Sequence, residues 1–464
     1  MKKNTKDTGY YTVNEGSKGA RIWLDGNILR RHGFTRGVNY IRELSDDQRV
    51  LRLRVANQGK YVVSGKSKAG DDVPVIDLQS KEISKLTHGM DTVRVDFDNG
   101  CISISISHLA AAQIRREARF AQEVKKGEIS EATLCVGVGM ATLALKEGFE
   151  RHGLSMRTDY VVDRESTYLD LAMRNNRAID RRTRILKGSL EEIEPSLITE
   201  TSIVQLSLPC TGQSLSGRSK LKLAAAEMHP TDATAIYGVM NLLSSMNAAI
   251  YISENVKAAQ KSTTYELLRK TLTILGYHIH EFVLGPEQSG SVERRERYWM
   301  LAVSTGLPQP DTDAIPVYPR RYRSIAEALD PIPDDSPMWS DNTYLKEKAR
   351  RDLAAGKGFS RSLVTPADTA VTVLNKSYAK RQSTPSMLVR PHIDDKERLF
   401  TPAEQARFKD CDPALVDGAS FTLATEVLGQ GIDMPQARGI AEMLADRVVR
   451  GLLPVNRQVQ LCLA

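Results

Sequence analysis

The stretch "ATLCVGVGMATLALKEGF" (132–149) decides the fold of most of this 464-residue chain. Its first residues are apolar, as in a buried strand, and the positions after Gly139 have the apolar spacing of a helix. Gly137 and Gly139 lie between them and predict a tight turn. Strand, glycine turn and helix in this order predict an α/β fold, an open, mostly parallel sheet with helices on both faces. Glycine at such a turn lets the backbone approach a nucleotide-like ligand closely.

Further apolar segments with polar ends fit the same sheet. They are "DYVVDRES" (159–166), "SIVQLSLPC" (202–210), "AAIYISENV" (248–256) and "ERYWMLAVS" (296–304). Ligands of such sheets bind beyond the carboxyl ends of the strands. Asp163, Glu165, Cys210 and Glu254 all lie at strand ends, so we expect them to meet in one crevice. An acid that ends the second strand can accept hydrogen bonds from ribose hydroxyls.

Composition excludes several classes of protein. No apolar run reaches about 18 residues, so a membrane span is not expected. The start "MKKNTKDTGYYTVNEG" has no apolar segment of the kind that a signal peptide requires. The five cysteines are scattered, without a CxxC or Cys/His cluster, so we expect no metal site and a reduced, cytoplasmic protein. No Walker lysine follows the glycine turn, so phosphoryl transfer is not expected.

Cys210 lies in an unusual context. In "LPCTGQSLSGRSK" (208–220) it follows Pro209 and opens a loop of small and hydroxyl residues. The simplest interpretation of Cys210 is a small apolar side chain buried in the core. Nearby Arg218 and Lys220 instead favour a thiolate, and a thiolate that forms and breaks covalent bonds needs an acid partner. Glu254 is the candidate, although an acid there could also serve only a helix N-terminus.

Positive charge is concentrated between Lys346 and Arg390. This stretch holds ten lysines and arginines against three acids, whereas the whole chain has a net charge of +7. Such a surface suits phosphate oxygens, although a solvated lysine-rich face is the simpler alternative.

The N-terminal 108 residues read as mostly β, with period-two segments such as "VLRLRV" and "CISISIS". The segments 21–44 and 75–97 both run strand, short helix, glycine turn, strand, so two similar halves could pair into a small barrel. The first half resembles SymE-type toxins and AbrB-like swapped-hairpin domains, which bind nucleic acid. The following "SHLAAAQIRREARFAQEVKKGE" (107–128) predicts a basic amphipathic helix that stops at Gly127.

From 131 to about 445 the order of motifs resembles the DNA (cytosine-5) methyltransferase family. "CVGVGMATLAL" is similar to its first cofactor motif, "PCTGQSLSGR" to its nucleophile loop and "ENV" (254–256) to its acid motif. "ERRERYWMLAV" (293–303) resembles the Q-x-R-x-R strand and "RLFTPAEQARF" (398–408) the R-x-L-T-P-x-E-x-A-R motif. "VLGQGIDMPQARGIAEML" (427–444) is similar to the last motif, and Thr372-Val373 to the Thr-Leu pair of the recognition domain.

The resemblance implies the roles of individual residues. It implies a catalytic set of Cys210, Glu254, Arg295 and Arg297. It implies S-adenosyl-L-methionine as cofactor, held by Cys135, Gly137, Val138, Gly139, Met140, Asp163, Glu165, Ser189, Pro209 and Gln430. It implies contacts with double-stranded DNA from Gln213, Ser214, Ser216, Arg218, Asn255, Thr372, Lys380 and Arg381. Thus we expect a DNA (cytosine-5-)-methyltransferase that methylates carbon 5 of a flipped-out cytosine through a covalent Cys210 adduct.

Five positions depart from the family pattern. Cys135 stands where Phe is usual, Met140 for a third glycine, Ser189 for Asp, Gln430 for Asn and Glu293 for Gln. Four of the five belong to the expected cofactor site. The altered cofactor motif leaves a DNA-binding regulator with impaired catalysis open as an alternative. An RNA (tRNA) cytosine-5 methyltransferase of the same fold is a second alternative, because some members of the family act on transfer RNA.

The expected domain order follows from these segments. We expect a small β-rich domain (1–108), a linker helix (109–130), a Rossmann-like catalytic domain that binds the cofactor (131–305) and a smaller target-recognition domain (306–397). A C-terminal segment (398–464) should pack back on the catalytic domain. A homodimer through the N-terminal domain, a cognate restriction endonuclease and a bacterial, plasmid or phage origin all fit this interpretation.

Overall fold

The computed structural model describes residues 6–47, 49–68, 71–209, 233–356, 361–390 and 396–452. The chain divides into two compact units, Met1–Arg115 and Arg116–Ala464. Within the described ranges no helix combines the length and the apolar character that a membrane crossing requires.

The first unit is built on a nine-stranded antiparallel sheet in the order β5-β3-β4-β9-β8-β1-β2-β7-β6. Its strands are β1 (Asp7–Gly16), β2 (Gly19–Asp25), β3 (Asn39–Leu44), β4 (Val50–Val55), β5 (Tyr61–Val62), β6 (Ser64–Lys68), β7 (Asp71–Gln79), β8 (Thr92–Asp98) and β9 (Cys101–Ile106). Helix α1 (Asn27–Arg31) follows β2, and helix α2 (Lys81–Thr87) follows β7. The two edge strands, β5 and β6, are separated along the chain by Val63 alone.

The two halves of this unit are related by a pseudo-two-fold pattern of strand pairing. Between β2 and β7 the pairs are Ile22–Leu78, Trp23–Asp77 and Leu24–Ile76. Between β4 and β9 they are Leu51–Ile104, Arg52–Ser103 and Leu53–Ile102. In each strand pair the two outer residue pairs are related by a two-fold rotation about the central one, which is Trp23–Asp77 in the first case and Arg52–Ser103 in the second. The inward-facing residues of both halves share one apolar core, so the repeat seen in the sequence is a structural duplication.

Helix α3 (His108–Lys126) follows β9. Gly127 ends it with a φ of +81°, and its N–H bonds to the Glu123 carbonyl, which confirms the predicted stop. The next strand begins at Glu128, three residues before the expected start at 131, so the linker helix is shorter than the predicted 109–130.

The second unit is built on a seven-stranded sheet in the order β12-β11-β10-β13-β14-β16-β15. Its strands are β10 (Glu128–Leu134), β11 (Ser155–Asp163), β12 (Arg184–Lys187), β13 (Ile203–Leu206), β14 (Ile250–Asn255), β15 (Tyr277–Leu284) and β16 (Arg297–Ser304). The first five in the order are parallel, whereas β16 is antiparallel to both of its neighbours. The carboxyl ends of β10, β11, β13 and β14 therefore lie along one edge.

Helices cover both faces of this sheet, and each face has its own apolar core. After α3, the described α-helices of the second unit, which include α9 of the smaller cluster, are in chain order α4 (Met140–Glu150), α5 (Ser166–Asn175), α6 (Ala235–Met246), α7 (Thr263–Ile274), α8 (Pro286–Ser289), α9 (Thr343–Ala354), α10 (Pro402–Arg407), α11 (Phe421–Gln430) and α12 (Met434–Leu444). Helix α12 packs on α4, where Gly148 lies so close to the Arg438 carbonyl that an added Cβ would collide with it. This contact returns the C-terminal segment to the start of the sheet.

A smaller cluster lies outside the large sheet. It contains β17 (Leu363–Val364), β18 (Met387–Val389) and β19 (Glu397–Arg398), which form a three-stranded sheet. A separate apolar core, including Leu374, Tyr378 and Phe400, holds it together. This cluster carries Thr372, Lys380 and Arg381.

Candidate active site

A cavity of about 210 Å³ lies beyond the carboxyl ends of the parallel strands. Nine of the ten predicted cofactor residues line it together with Glu254, and these nine are Cys135, Gly137, Val138, Met140, Asp163, Glu165, Ser189, Pro209 and Gln430. The parallel strand order brings them together because each follows, or lies near, a carboxyl end at the same edge of the sheet.

The glycine turn after β10 has two different glycines. Gly137 has a φ of +57°, and a Cβ added there would meet no atom within 4 Å, so its face is open. Gly139 has a φ of +75°, but its added Cβ would collide with the Nδ2 atom of Asn176. Gly139 is not among the lining residues, so it serves the packing of the turn rather than the cavity. Cys135 also has a positive φ, +58°, which a non-glycine residue rarely adopts.

The two acids after β11 differ in what they do. One Asp163 carboxylate oxygen accepts the Gly137 N–H at 2.8 Å, and the other accepts the Glu165 N–H at 3.0 Å. Burial raises the pKa of Asp163, and these two hydrogen bonds oppose that rise. Asp163 therefore fixes the glycine turn, whereas the half-exposed Glu165 side chain remains available at the cavity.

A group of side chains that the sequence does not single out completes another part of the wall. The Tyr168 hydroxyl donates to Oε1 of Glu426 at 2.9 Å, and Gln430 bonds to the same tyrosine. Lys376 lines the cavity and lies 3.6 Å from that Glu426 oxygen. Gln430 was predicted from the resemblance and Lys376 belongs to the basic stretch, but Tyr168 and Glu426 gave no sequence signal, because contacts between distant segments leave no local pattern.

Glu254 and Arg297 form an ion pair at the cavity. The strand order places β14 beside β16, and Nε of Arg297 lies 2.8 Å from Oε1 of Glu254. Burial raises the pKa of the Glu254 carboxyl, while the positive charges of Arg297, Arg295 and Lys409 oppose the rise. A carboxyl held in this way can keep or share a proton that an exposed one would lose.

Arg295 has different partners from those expected. The resemblance implies that Arg295 belongs to the catalytic set, but its guanidinium donates to Glu293 at 2.9 Å and to the Gly429 carbonyl at 3.0 Å. Lys409 lies 2.6 Å from the other Glu293 oxygen, and all three side chains are buried. The glutamate at 293, where glutamine is usual, therefore balances two buried cations. Arg295 ties the segment just before β16 to α11.

The nucleophile loop lies outside the described residues. This concerns the predicted sites Cys210, Gln213, Ser214, Ser216 and Arg218. The described chain reaches Pro209, which lines the cavity. Asn255 is buried, and its amide donates to the Leu208 carbonyl at 3.0 Å. Asn255 thus fixes the chain that leads to the loop.

The basic stretch divides into internal and exposed cations. Arg361 and Arg390 are buried and pair with Glu397 and Asp334, so they hold the small cluster together. The Thr372 hydroxyl bonds to Ser386, and Arg381 donates to Asn342 at 2.9 Å. Lys380, and Arg350 and Arg351 of α9, are exposed. Only part of the predicted charge is therefore available to a partner.

Comparisons with known proteins agree with these features. The family described as C-5 cytosine-specific DNA methylase matches residues 144–444. The Type II methyltransferase M1.ScrFI of Lactococcus lactis subsp. cremoris is 22% identical over 265 residues, which cover 56% of this chain and 66% of that protein. The Type II methyltransferase M.MspI of Moraxella sp is 24% identical, over 58% of this chain and 61% of that protein. The chain thus spans just under two thirds of the length of these relatives.

Solved structures show the same fold. The Dnmt2 methyltransferase of S. pombe superposes with a TM-score of 0.56 at 17% identity, over 68% of this chain and 98% of that one. The methyltransferase EhMeth of Entamoeba histolytica gives a TM-score of 0.54 at 19% identity, over 69% and 98%. The second unit therefore has the Rossmann-like methyltransferase fold that the sequence predicts. Because the family match runs over well over half of the chain, this protein belongs to the C-5 cytosine-specific DNA methylase family.

Proposed function

We propose that this protein transfers a methyl group from S-adenosylmethionine to carbon 5 of cytosine in DNA. The observation that carries the proposal is Glu254, which lies in the wall of the cavity together with the open Gly137 turn and Pro209 and forms a buried ion pair with Arg297. A binding site for a nucleotide-like donor and a carboxyl of raised pKa thus meet beside Pro209, the residue that precedes the expected nucleophile in the sequence. The family and the Type II methyltransferase relatives support the same activity.

The cavity fits the methyl donor. Gly137 presents a face that a Cβ would fill, which suits close approach of a nucleoside. Glu165 would accept hydrogen bonds from the ribose hydroxyls of the methyl donor, while Cys135 and Ser189 would lie beside its adenine ring. Gln430 and Pro209 would enclose the amino-acid end. When bound, S-adenosylmethionine supplies an electrophilic methyl group.

The protein's own residues would make the cytosine reactive. Carbon 5 is a poor nucleophile until the Cys210 thiolate adds to carbon 6, which converts the ring to an enamine. Negative charge then develops towards ring nitrogen 3 and the carbonyl oxygen. Glu254 would donate a proton to nitrogen 3, and Arg297 would stabilise the oxygen. After methylation, nitrogen 3 returns its proton to the Glu254 carboxylate and a base removes the proton from carbon 5. The bond between carbon 6 and sulfur then breaks, and Cys210 leaves as thiolate.

The substrate cytosine must leave the helix because carbon 6 is not accessible in a stacked duplex. We propose that residues 306–397 form the recognition domain for double-stranded DNA, residues 131–305 the catalytic domain and residues 398–464 the returning segment. The exposed Lys380, Arg350 and Arg351 would contact phosphates, and Thr372 would support the recognition loop.

The N-terminal unit is a candidate for a second contact with nucleic acid. Residues 1–115 hold 19 lysines and arginines against 13 acids, a net charge of +6 within the +7 of the whole chain. We propose that this unit adds affinity for the phosphate backbone but no chemistry. A homodimer through this unit and a cognate restriction endonuclease stay predictions.

Bisulfite sequencing tests the proposed activity. DNA from a methylation-free host that expresses the wild-type protein should contain 5-methylcytosine in one sequence context, and DNA from a host expressing Cys210→Ala should contain none. If tRNA rather than DNA carries the modification, the DNA substrate is wrong. If neither DNA nor tRNA is modified, and the protein binds DNA but does not bind S-adenosylhomocysteine, it is a regulator.

A further inference from the structure

The cavity contains more acids than cations. Its described lining includes the acids Asp163, Glu165, Glu191 and Glu254 and the cations Arg164 and Lys376. S-adenosylmethionine carries a carboxylate at its amino-acid end, and a carboxylate beside other carboxylates is destabilised. This group therefore needs a cation or several N–H donors.

A close contact between backbones places Lys376 beside Gln430, in the part of the cavity proposed to enclose the amino-acid end of the methyl donor. Gly429 precedes the lining residue Gln430, and a Cβ added to Gly429 would collide with the Asn375 carbonyl group and the Lys376 nitrogen. The absence of a side chain at Gly429 lets the loop after Thr372 lie directly on the end of α11. A lysine of the proposed recognition domain thereby reaches the cofactor cavity.

The ammonium group of Lys376 can still form a direct hydrogen bond with a ligand. Its Nζ atom is 3.6 Å from Oε1 of Glu426, which is longer than a direct hydrogen bond, and that oxygen already accepts the Tyr168 hydroxyl at 2.9 Å. The Lys376 side chain is 54% exposed, so it can reorient. Arg164, in contrast, lies next to Glu165, with Nε 3.7 Å from Oε1, among the acids proposed to bind the nucleoside.

We propose that Lys376 binds the carboxylate of the methyl donor. The proposal rests on the proposed function, since it assumes that S-adenosylmethionine occupies the cavity. Glu426 and Tyr168 then act as positioning residues that hold the lysine near the bound amino-acid group. Cofactor affinity would thus depend on a residue that docking of the recognition loop brings into place.

Calorimetry with two ligands tests this contact on the full-length protein. The ligands are S-adenosylhomocysteine and its decarboxylated form, which lacks only the carboxylate. Lys376→Met should weaken binding of S-adenosylhomocysteine by about 5- to 50-fold, as expected for loss of one charge-assisted hydrogen bond at a partly exposed site. Binding of the decarboxylated ligand should change less than about twofold, and Lys376→Arg should retain most of the affinity.

The matched control is Lys270→Met, which removes a lysine that is 72% exposed on the surface of α7. It should bind both ligands as the wild type does. Equal losses for both ligands in Lys376→Met, or no loss for either, would overturn the assignment of Lys376 while leaving the proposed function intact. Failure of the wild type to bind S-adenosylhomocysteine, with and without DNA, would instead count against the proposed function and, with it, the role of Lys376.

Discussion

The Nε atom of Arg297 lies 2.8 Å from the Oε1 atom of Glu254, and each side chain is only 11% exposed. The pair joins neighbouring antiparallel strands at the cavity. We expect Glu254→Gln to lower kcat by about 10²- to 10⁴-fold, because it removes the acid that would protonate ring nitrogen 3. Binding of S-adenosylhomocysteine should be unchanged. Steady-state kinetics with calorimetry measures both, and Glu266→Gln, at an exposed carboxylate of α7, is the control.

The same pair predicts a pH dependence. Burial raises the pKa of Glu254 above its ordinary value, so the folded protein retains the proton to higher pH than an exposed glutamate does. A step that needs the protonated acid should therefore slow as pH rises through the raised pKa. Arg297→Met removes the opposing positive charge and should move this limb of the kcat/KM profile to still higher pH. A shift to lower pH would contradict the assignment of the limb to Glu254.

Cys210 is expected to form a covalent bond with the substrate. DNA that carries 5-fluorocytosine should trap the wild-type protein in a complex stable to denaturation, since fluorine cannot leave as a proton does. Cys210→Ala should bind the same DNA but form no such complex, which a denaturing gel would show. Trapping by the alanine variant would mean that another residue is the nucleophile.

The two glycines of the turn should respond differently to substitution. Gly137→Asp places a charged side chain on the open face of the cavity, so it should abolish binding of S-adenosylhomocysteine in a protein that still folds. Gly139→Ala forces a Cβ against Asn176 at a positive φ, so its main effect should be a lower Tm. Calorimetry and thermal unfolding separate the two effects. Unchanged binding of S-adenosylhomocysteine by a folded Gly137→Asp variant would argue against the open face at Gly137.

The buried charges around Glu293 predict a large effect on stability. Glu293→Gln leaves Arg295 and Lys409 without their shared carboxylate and should reduce the free energy of unfolding by about 3–5 kcal/mol. Adding Lys409→Met to this variant should restore part of the loss, because the remaining glutamine then faces one cation. Urea unfolding of the single and double variants provides the comparison. Additive losses would mean that the two residues are not coupled.

The N-terminal unit is expected to contribute affinity without specificity. A protein that starts near Ala110 should methylate the same sequence but bind DNA more weakly, with a shallower dependence on salt because fewer phosphates are neutralised. Filter binding over a range of salt concentrations measures the slope. Identical slopes would show that this unit does something else, and an altered methylated sequence would show that it reads bases.

Much of the catalytic fold could be predicted from the sequence because its signals are local. The strand, turn and helix at 132–149 and the acids at the carboxyl ends of β11 and β14 each follow from a short pattern. The duplication of the first unit also left a trace, since both halves repeat the same order of strand, helix and glycine turn. The strands β12 and β15 were not singled out.

The partners of individual side chains could not be predicted in this way. The sequence predicted Gly139 in the cavity and Arg295 at the substrate. In the structure Gly139 packs against Asn176, and Arg295 donates to the Gly429 carbonyl. Both contacts join segments more than 30 residues apart. Equally, nothing local distinguishes Asp163, which fixes the turn, from Glu165, which is available at the cavity.

The single residue Val63 between β5 and β6 has a consequence for how the N-terminal unit behaves at low concentration. Sheets of separate molecules join through exposed edge strands, and here the two edge strands are consecutive in one chain. Because the two similar halves of the nine-stranded sheet belong to one chain and are joined through β5 and β6, they pair within a single molecule. Dilution cannot dissociate this pairing, in contrast to an assembly of two chains, so the unit should remain fully formed even at a few copies per cell.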